Sequence, residues 1–183
     1  MAENAKHLGA KLNALYDIIQ GLTLASSDEV FKAFGAFFAE DCTVHLKSMN
    51  RHHMPGVTRT GAIEDLKEVL EKVKIEKREI LSSSASANGL TVFSETKKRI
   101  NVMGDIIDPF FETEIATFNE EGLIKELKVY CCWSPIVRIV QDKTGVGPMA
   151  EGERREEWEE MVKGMVQKKM QKRAERAETV CCT

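Results

Sequence analysis

The sequence predicts an α+β domain followed by a helical extension, on two observations. Apolar residues recur at helical spacing through the first third of the chain, and from about Ile75 the period changes to strand alternation. The helices come first, and four strands then follow one another through turns too short to hold a crossover helix. That segregation implies a largely antiparallel sheet with helices packed on it, not a doubly wound parallel sheet.

Residues 4–22 place Leu8, Leu12, Leu15, Ile19 and Leu22 at alternating steps of four and three, which is one face of an amphipathic helix. Ser26 or Ser27 is positioned to cap a second helix that carries Val30, Phe31, Phe34, Phe37 and Phe38 and ends at Glu40 and Asp41. The stretch CTVHLKSM reads as a short strand, and NRHHMPGVTR as a locally basic loop broken by Pro55 and Gly56. Thr60 is expected to cap a third helix with Ile63, Leu66, Val69, Leu70 and Val73 on its apolar side.

The strands are KREILSSSASA, GLTVFSETKKRINVMG, DPFFETEIATFN and GLIKELKVYCCW. Asn88-Gly89, Met103-Gly104-Asp105 and residues 119–122 lie between them and suit hairpin turns. In the last strand, alternation sets Leu127, Val129 and Cys131 on one face and Glu126 and Lys128 on the other.

Pro135 is expected to end the sheet region, with turns after Asp142. We divide the chain into a domain over residues 1–140 and a linker plus charged helix over 141–183. That helix carries a narrow stripe of Trp158, Met161, Val162, Met165 and Val166, with acidic residues crowding its start and basic ones its end. Its stripe is expected to dock, with Trp158 as anchor, on the pocket side of its own domain or in a dimer groove.

Composition narrows the function. The chain has 183 residues, 43% apolar and 30% charged, with a formal net charge of −3. That balance suits a globular protein and lacks the basic excess of a nucleic-acid binder. No run is long and apolar enough to span a membrane or to serve as a signal peptide. The five cysteines, Cys42, Cys131, Cys132, Cys181 and Cys182, have neither zinc-site nor disulfide-framework spacing, so reduced thiols and a cytoplasmic location are expected.

FFAEDCTVHL resembles the helix-to-strand junction of the nuclear transport factor 2-like superfamily, in its SnoaL-like polyketide cyclase, steroid isomerase and dehydratase group. TGAIEDLKEVLEKV resembles its third helix, and EIATFNEEGLIKELKVY its last hairpin; the resemblance spans residues 4–133. It implies a cone-shaped, strongly curved antiparallel or mixed sheet, with three N-terminal helices enclosing a pocket. It also implies a homodimer through the outer sheet face. The position matching the general-base aspartate of the steroid isomerases holds Leu46, beside His45. The Tyr-x-Asp that ends the last strand of many SnoaL-like cyclases reads Tyr130-Cys131-Cys132.

Candidate catalytic groups follow from what a pocket needs: ionisable side chains in an apolar surround. His45 is one, because imidazole exchanges protons near neutral pH; a hydrogen-bonded or surface histidine is the alternative. Asp108, Glu112 and Glu114 share a strand parity with Phe110, Ala116 and Phe118. That parity belongs either to the pocket wall or to a solvated face. Tyr16 on the first helix either donates to a developing oxyanion or simply packs.

Arg51 and His53 stand in the basic loop and are expected at the pocket rim. Phe34, Phe38, Phe110, Tyr130 and Trp133 are expected to bind substrate. His52-His53 lacks the spacing of paired zinc ligands, so neither metal nor other cofactor is expected. The expected activity is a cofactor-independent isomerase, cyclase or dehydratase. Its substrate would be a small, largely apolar intermediate of polyketide, terpenoid or alkaloid type. The alternative is a non-catalytic ligand-binding or dimerisation module. No nucleic-acid or membrane partner is expected.

Overall fold

The computed structural model describes residues 2–47, 55–149 and 151–180. The chain divides into two compact units, residues 1–133 and 134–183.

In the first unit, helix α1 (Ala2–Gly21) buries Leu8, Leu12, Leu15 and Tyr16, and Leu22 just beyond it is equally buried. Helix α2 (Asp28–Gly35) buries Phe31 and Phe34. Ser27 does occupy its N-cap position, but its side chain makes no capping hydrogen bond; Ser26 Oγ instead accepts the Thr23 N–H at 3.0 Å. The helix ends five residues before Glu40. A Cβ at Gly35 would meet Ile63 Cδ1 at 2.9 Å, so a larger residue there would require the Ile63 side chain to shift.

Strand β1 (Phe38–Lys47) therefore begins earlier than expected, with Phe38, Ala39 and Cys42 buried and Glu40 and Asp41 exposed. The short strand β2 (Gly56–Val57) pairs with it. Helix α3 (Thr58–Leu70) starts at Thr58, whose Oγ1 accepts the Gly61 N–H at 3.3 Å; Thr60 lies inside the helix and does not cap it. Its buried face is Gly61 and Ala62, with Ile63, Leu66 and Leu70 packed at the core's margin.

Strands β3 (Val73–Ala85), β4 (Thr91–Val102), β5 (Asp105–Phe118) and β6 (Ile124–Cys131) form the expected meander. The sheet order is β2-β1-β6-β5-β4-β3, antiparallel throughout except for the parallel β1–β6 pair. The result is an α+β fold on an open, mixed six-stranded sheet, with α1, α2 and α3 over its inner face. Leu127 and Val129 face this core as alternation requires, and Cys131 shares their side. At the last hairpin, Lys11 Nζ donates to the Gly122 carbonyl at 2.9 Å and ties α1 to the turn.

The second unit holds α4 (Ser134–Thr144) and α5 (Glu153–Val180). The sheet region ends before Pro135 as expected, and helix α4, which the sequence pattern did not reveal, follows it. Pro135 opens this helix, because proline at the first turn forfeits no intrahelical bond. No helix among the described residues is long and apolar enough to cross a membrane.

Candidate functional site

The inner sheet face is apolar at both ends and charged in the middle. On β4, Val92, Ser94, Thr96, Lys98, Ile100 and Val102 are buried in strict alternation. Lys98 therefore points into the core, where it is 1% exposed. On β5 the same face carries Phe110, Glu112, Glu114, Ala116 and Phe118. Register sets Ser94 opposite Glu114, Thr96 opposite Glu112 and Arg78 of β3 opposite Lys98. Two cations and two carboxylates thus meet beneath α1.

Glu114 is completely buried and is the hub. Arg78 grips it through Nε at 3.3 Å and Nη2 at 2.7 Å. Lys98 Nζ lies 3.0 Å from Oε1, and Thr96 Oγ1 donates to the same oxygen at 3.3 Å. Glu112 is bound by Lys98 Nζ and, with its side chain 13% exposed, is the carboxylate that still meets solvent. From α1, Asn13 Oδ1 accepts Arg78 Nη1 at 3.1 Å. The Tyr16 ring lies under both cations, with Arg78 Cζ at 4.4 Å and Lys98 Nζ at 4.3 Å from its centroid.

This surround acts on the Tyr16 hydroxyl. Burial raises its pKa well above the ordinary value, the charges of Glu114 and Glu112 push it further, and its hydrogen bond to Glu114 adds to the shift. The nearby Arg78 pulls the other way. Tyr16 therefore keeps its proton and remains a donor. Cys131 is paired with Glu112 across the strands; burial above all, then Glu112, raises its thiol pKa to about 12. Cys42 is raised by burial to about 11.

The structure gathers Tyr16, Glu112 and Glu114 of the expected site residues, with Phe110 buried on the same face. Phe34 and Phe38 are buried in the core with ring centroids 5.0 Å apart, and Trp133 is half-buried. Asp108 does not join the two glutamates. The β4–β5 pairing shifts between Lys98 and Ile100, which face Phe110 and Ile107, so β5 carries one extra residue there. This bulge flips the parity, and Asp108 pairs with Arg99 at 3.3 Å on the outer face.

His45 is also on the outer face. Val44 and Leu46 pack toward the core, and His45 Nε2 lies 3.4 Å from Glu126 Oε1. Tyr130 is 42% exposed on that side as well. Arg51 and His53 lie outside the described residues.

Sequence reasoning missed Arg78 and Lys98, the two cations of the cluster. The signal for Lys98 was present. It shares a parity with Val92, Ile100 and Val102 in a strand whose other face is Glu95, Lys97 and Arg99.

No protein-family model matches the chain, and no curated protein does. Solved structures do. One is a candidate polyketide cyclase from Xanthomonas campestris pv. campestris, at TM-score 0.53 and 14% identity, covering 69% of this chain and 91% of that one. Another is an epoxide hydrolase/cyclase-like enzyme of pyran ring formation in the polyether salinomycin, at 0.53 and 16%, covering 71% and 92%. A third is a steroid delta-isomerase from Pseudomonas aeruginosa, at 0.51 and 18%, covering 78% and 89%. The chain has the nuclear transport factor 2-like fold.

Proposed function

We propose that the chain is an enzyme performing acid–base chemistry on an oxygen-bearing, otherwise apolar small molecule, at the cluster of Tyr16, Arg78, Lys98, Glu112 and Glu114. The observation that carries this reading is four charged side chains drawn into the core of a small domain, with one carboxylate left at the solvent edge. Apolar residues of similar volume would serve stability as well or better at such positions. Charges kept there in place of apolar side chains favour a site that uses them.

Glu112 is the proposed base. It meets solvent, and Lys98 fixes its orientation. As negative charge develops on the substrate oxygen, Tyr16 exchanges its hydrogen bond to Glu114 for one to that oxygen, and the Lys98 and Arg78 cations stabilise the charge in a setting with little water. Glu114 positions both cations. Isomerisation, cyclisation and dehydration each need a proton taken from one atom and returned to another, which this set can provide without a cofactor. The fold is shared with cyclase-, isomerase- and epoxide hydrolase-like proteins, which favours the same kinds of reaction. Polyketide, terpenoid or alkaloid-type intermediates are the proposed substrates. The free thiols of Cys42, Cys131 and Cys132 suit a cytoplasmic location.

A second reading rests on the same cluster. Its charges balance, and Glu114 is saturated with partners, which also suits a binding module that turns nothing over. Conversion of a library of cyclic ketones, enones, epoxides and hydroxy-ketones, followed by mass and NMR, separates the two. The enzyme reading expects turnover that Glu112→Gln lowers about 10²–10⁴-fold. Saturable binding with no turnover across the library would assign the module instead.

A further inference from the structure

We propose that α5 is a self-association element that pairs antiparallel with α5 of a second copy of this chain. Three features of the helix lead there. Met161, Met165, Val166 and Met170 are 49%, 46%, 39% and 57% exposed, and with the half-buried Trp158 and Val162 they form an apolar stripe along a highly charged helix. Isolated exposed methionines are ordinary, but a repeated stripe on a 28-residue helix is a docking face.

The charge is also divided along the axis. Residues 153–166 contain five glutamates against Arg154, Arg155 and Lys163, whereas residues 167–180 contain five basic residues against Glu175 and Glu178. Finally, the division is symmetric about the stripe. An antiparallel pairing centred near residues 164–165 lays the Glu153–Glu160 stretch of each copy along the 169–176 stretch of the other. Parallel pairing would set like charge against like. A two-fold interface requires one surface to complement itself, and a helix acidic at one end and basic at the other does so only when antiparallel. A ligand or an unrelated acidic partner would engage one half and leave the other opposed.

The experiment uses the full chain and two charge-reversed variants. The first carries Glu153→Lys, Glu156→Lys, Glu157→Lys, Glu159→Lys and Glu160→Lys. The second carries Lys168→Glu, Lys169→Glu, Lys172→Glu, Arg173→Glu and Arg176→Glu. Solution mass is measured by sedimentation equilibrium for each protein alone and for the two variants mixed. The wild type is expected at twice the mass of either variant alone, and the mixture is expected to regain the wild-type mass. Regain in the mixture also establishes that each variant is folded. A wild-type mass equal to that of the variants, or a mixture that stays at the variants' mass, overturns the proposal.

Discussion

Glu114→Gln tests the energetics of the cluster most sharply. The substitution keeps shape and volume but removes the charge that faces Arg78 at 2.7 Å and Lys98 at 3.0 Å. Both cations are nearly out of water, at 7% and 1% side-chain exposure, and Glu112 alone would remain to offset them. Breaking one partner of a buried ionic pair costs about 3–5 kcal/mol, because the other charge is left desolvated. A domain of this size has about 5–15 kcal/mol in total, so a large fraction of the stability is at stake. With a urea slope of about 2 kcal/mol per molar, the unfolding midpoint should fall by about 1.5–2.5 M at unchanged slope. The combined variant Arg78→Met, Lys98→Met, Glu112→Leu, Glu114→Leu should stay within about 1 kcal/mol of wild type or exceed it, because no charge is then stranded. Urea unfolding followed by circular dichroism measures both. A Glu114→Gln midpoint within 0.3 M of wild type would refute the reasoning, since the buried charges could not then be coupled as described.

Further outcomes follow from the same geometry. Tyr16→Phe keeps the ring under the two cations and removes only the hydroxyl, so turnover should fall by about 10-fold or more while the unfolding midpoint moves little; equal turnover would remove Tyr16 from the mechanism. Cys42 and Cys131 should resist iodoacetamide at pH 8 in the folded protein and react after unfolding, because burial holds both as thiols; rapid labelling of either would contradict its placement. Those two thiols and the Tyr16 hydroxyl all have folded pKa values raised above their unfolded ones. Their contribution is fully present below about pH 8.5 and is lost as pH rises toward 11–12, so the thermal midpoint should decline across that alkaline window. A midpoint flat to pH 12 would count against the burial of all three. Phe111 is 54% exposed on the outer sheet face; if the homodimer that the resemblance implies forms there, Phe111→Glu should lower the solution mass, and an unchanged mass would count against that interface.

Strand alternation and hairpin turns made most of the sheet legible from sequence, since both are local. Leu127 and Val129 fell on the core face as their spacing required. Failures came where tertiary packing or a one-residue irregularity overrode the period. Phe37 and Phe38 fit a helical stripe, yet α2 ends at Gly35 and Phe38 opens β1. Asp108 shares parity with Glu112 in the sequence, but the bulge beside Pro109 turns it outward. Pro135 lies just past the last strand as expected, but the helix α4 in which it sits carries no signal that was read from the sequence. The cluster was only half legible because a buried lysine or arginine looks like a surface one until its partners are placed. Glu112 and Glu114 stood out among phenylalanines, whereas Lys98 lay inside a basic run. The β3–β4 register, with its two shifts along the ladder, brought Arg78 and Lys98 together over the Tyr16 ring.

The most direct test of the central claim, that this cluster receives the oxygen of an apolar ligand, is the binding of 2-naphthol followed by its fluorescence. A neutral phenol can donate to the Glu112 carboxylate while its rings occupy apolar surroundings. A hydrogen bond to a charged group is worth about 1–2 kcal/mol more than one to a neutral amide. The account predicts saturable binding to the wild type, weakened about 10-fold by Glu112→Gln with the fold intact. Saturable binding that is unchanged by Glu112→Gln, or no binding by a folded wild type, would contradict it.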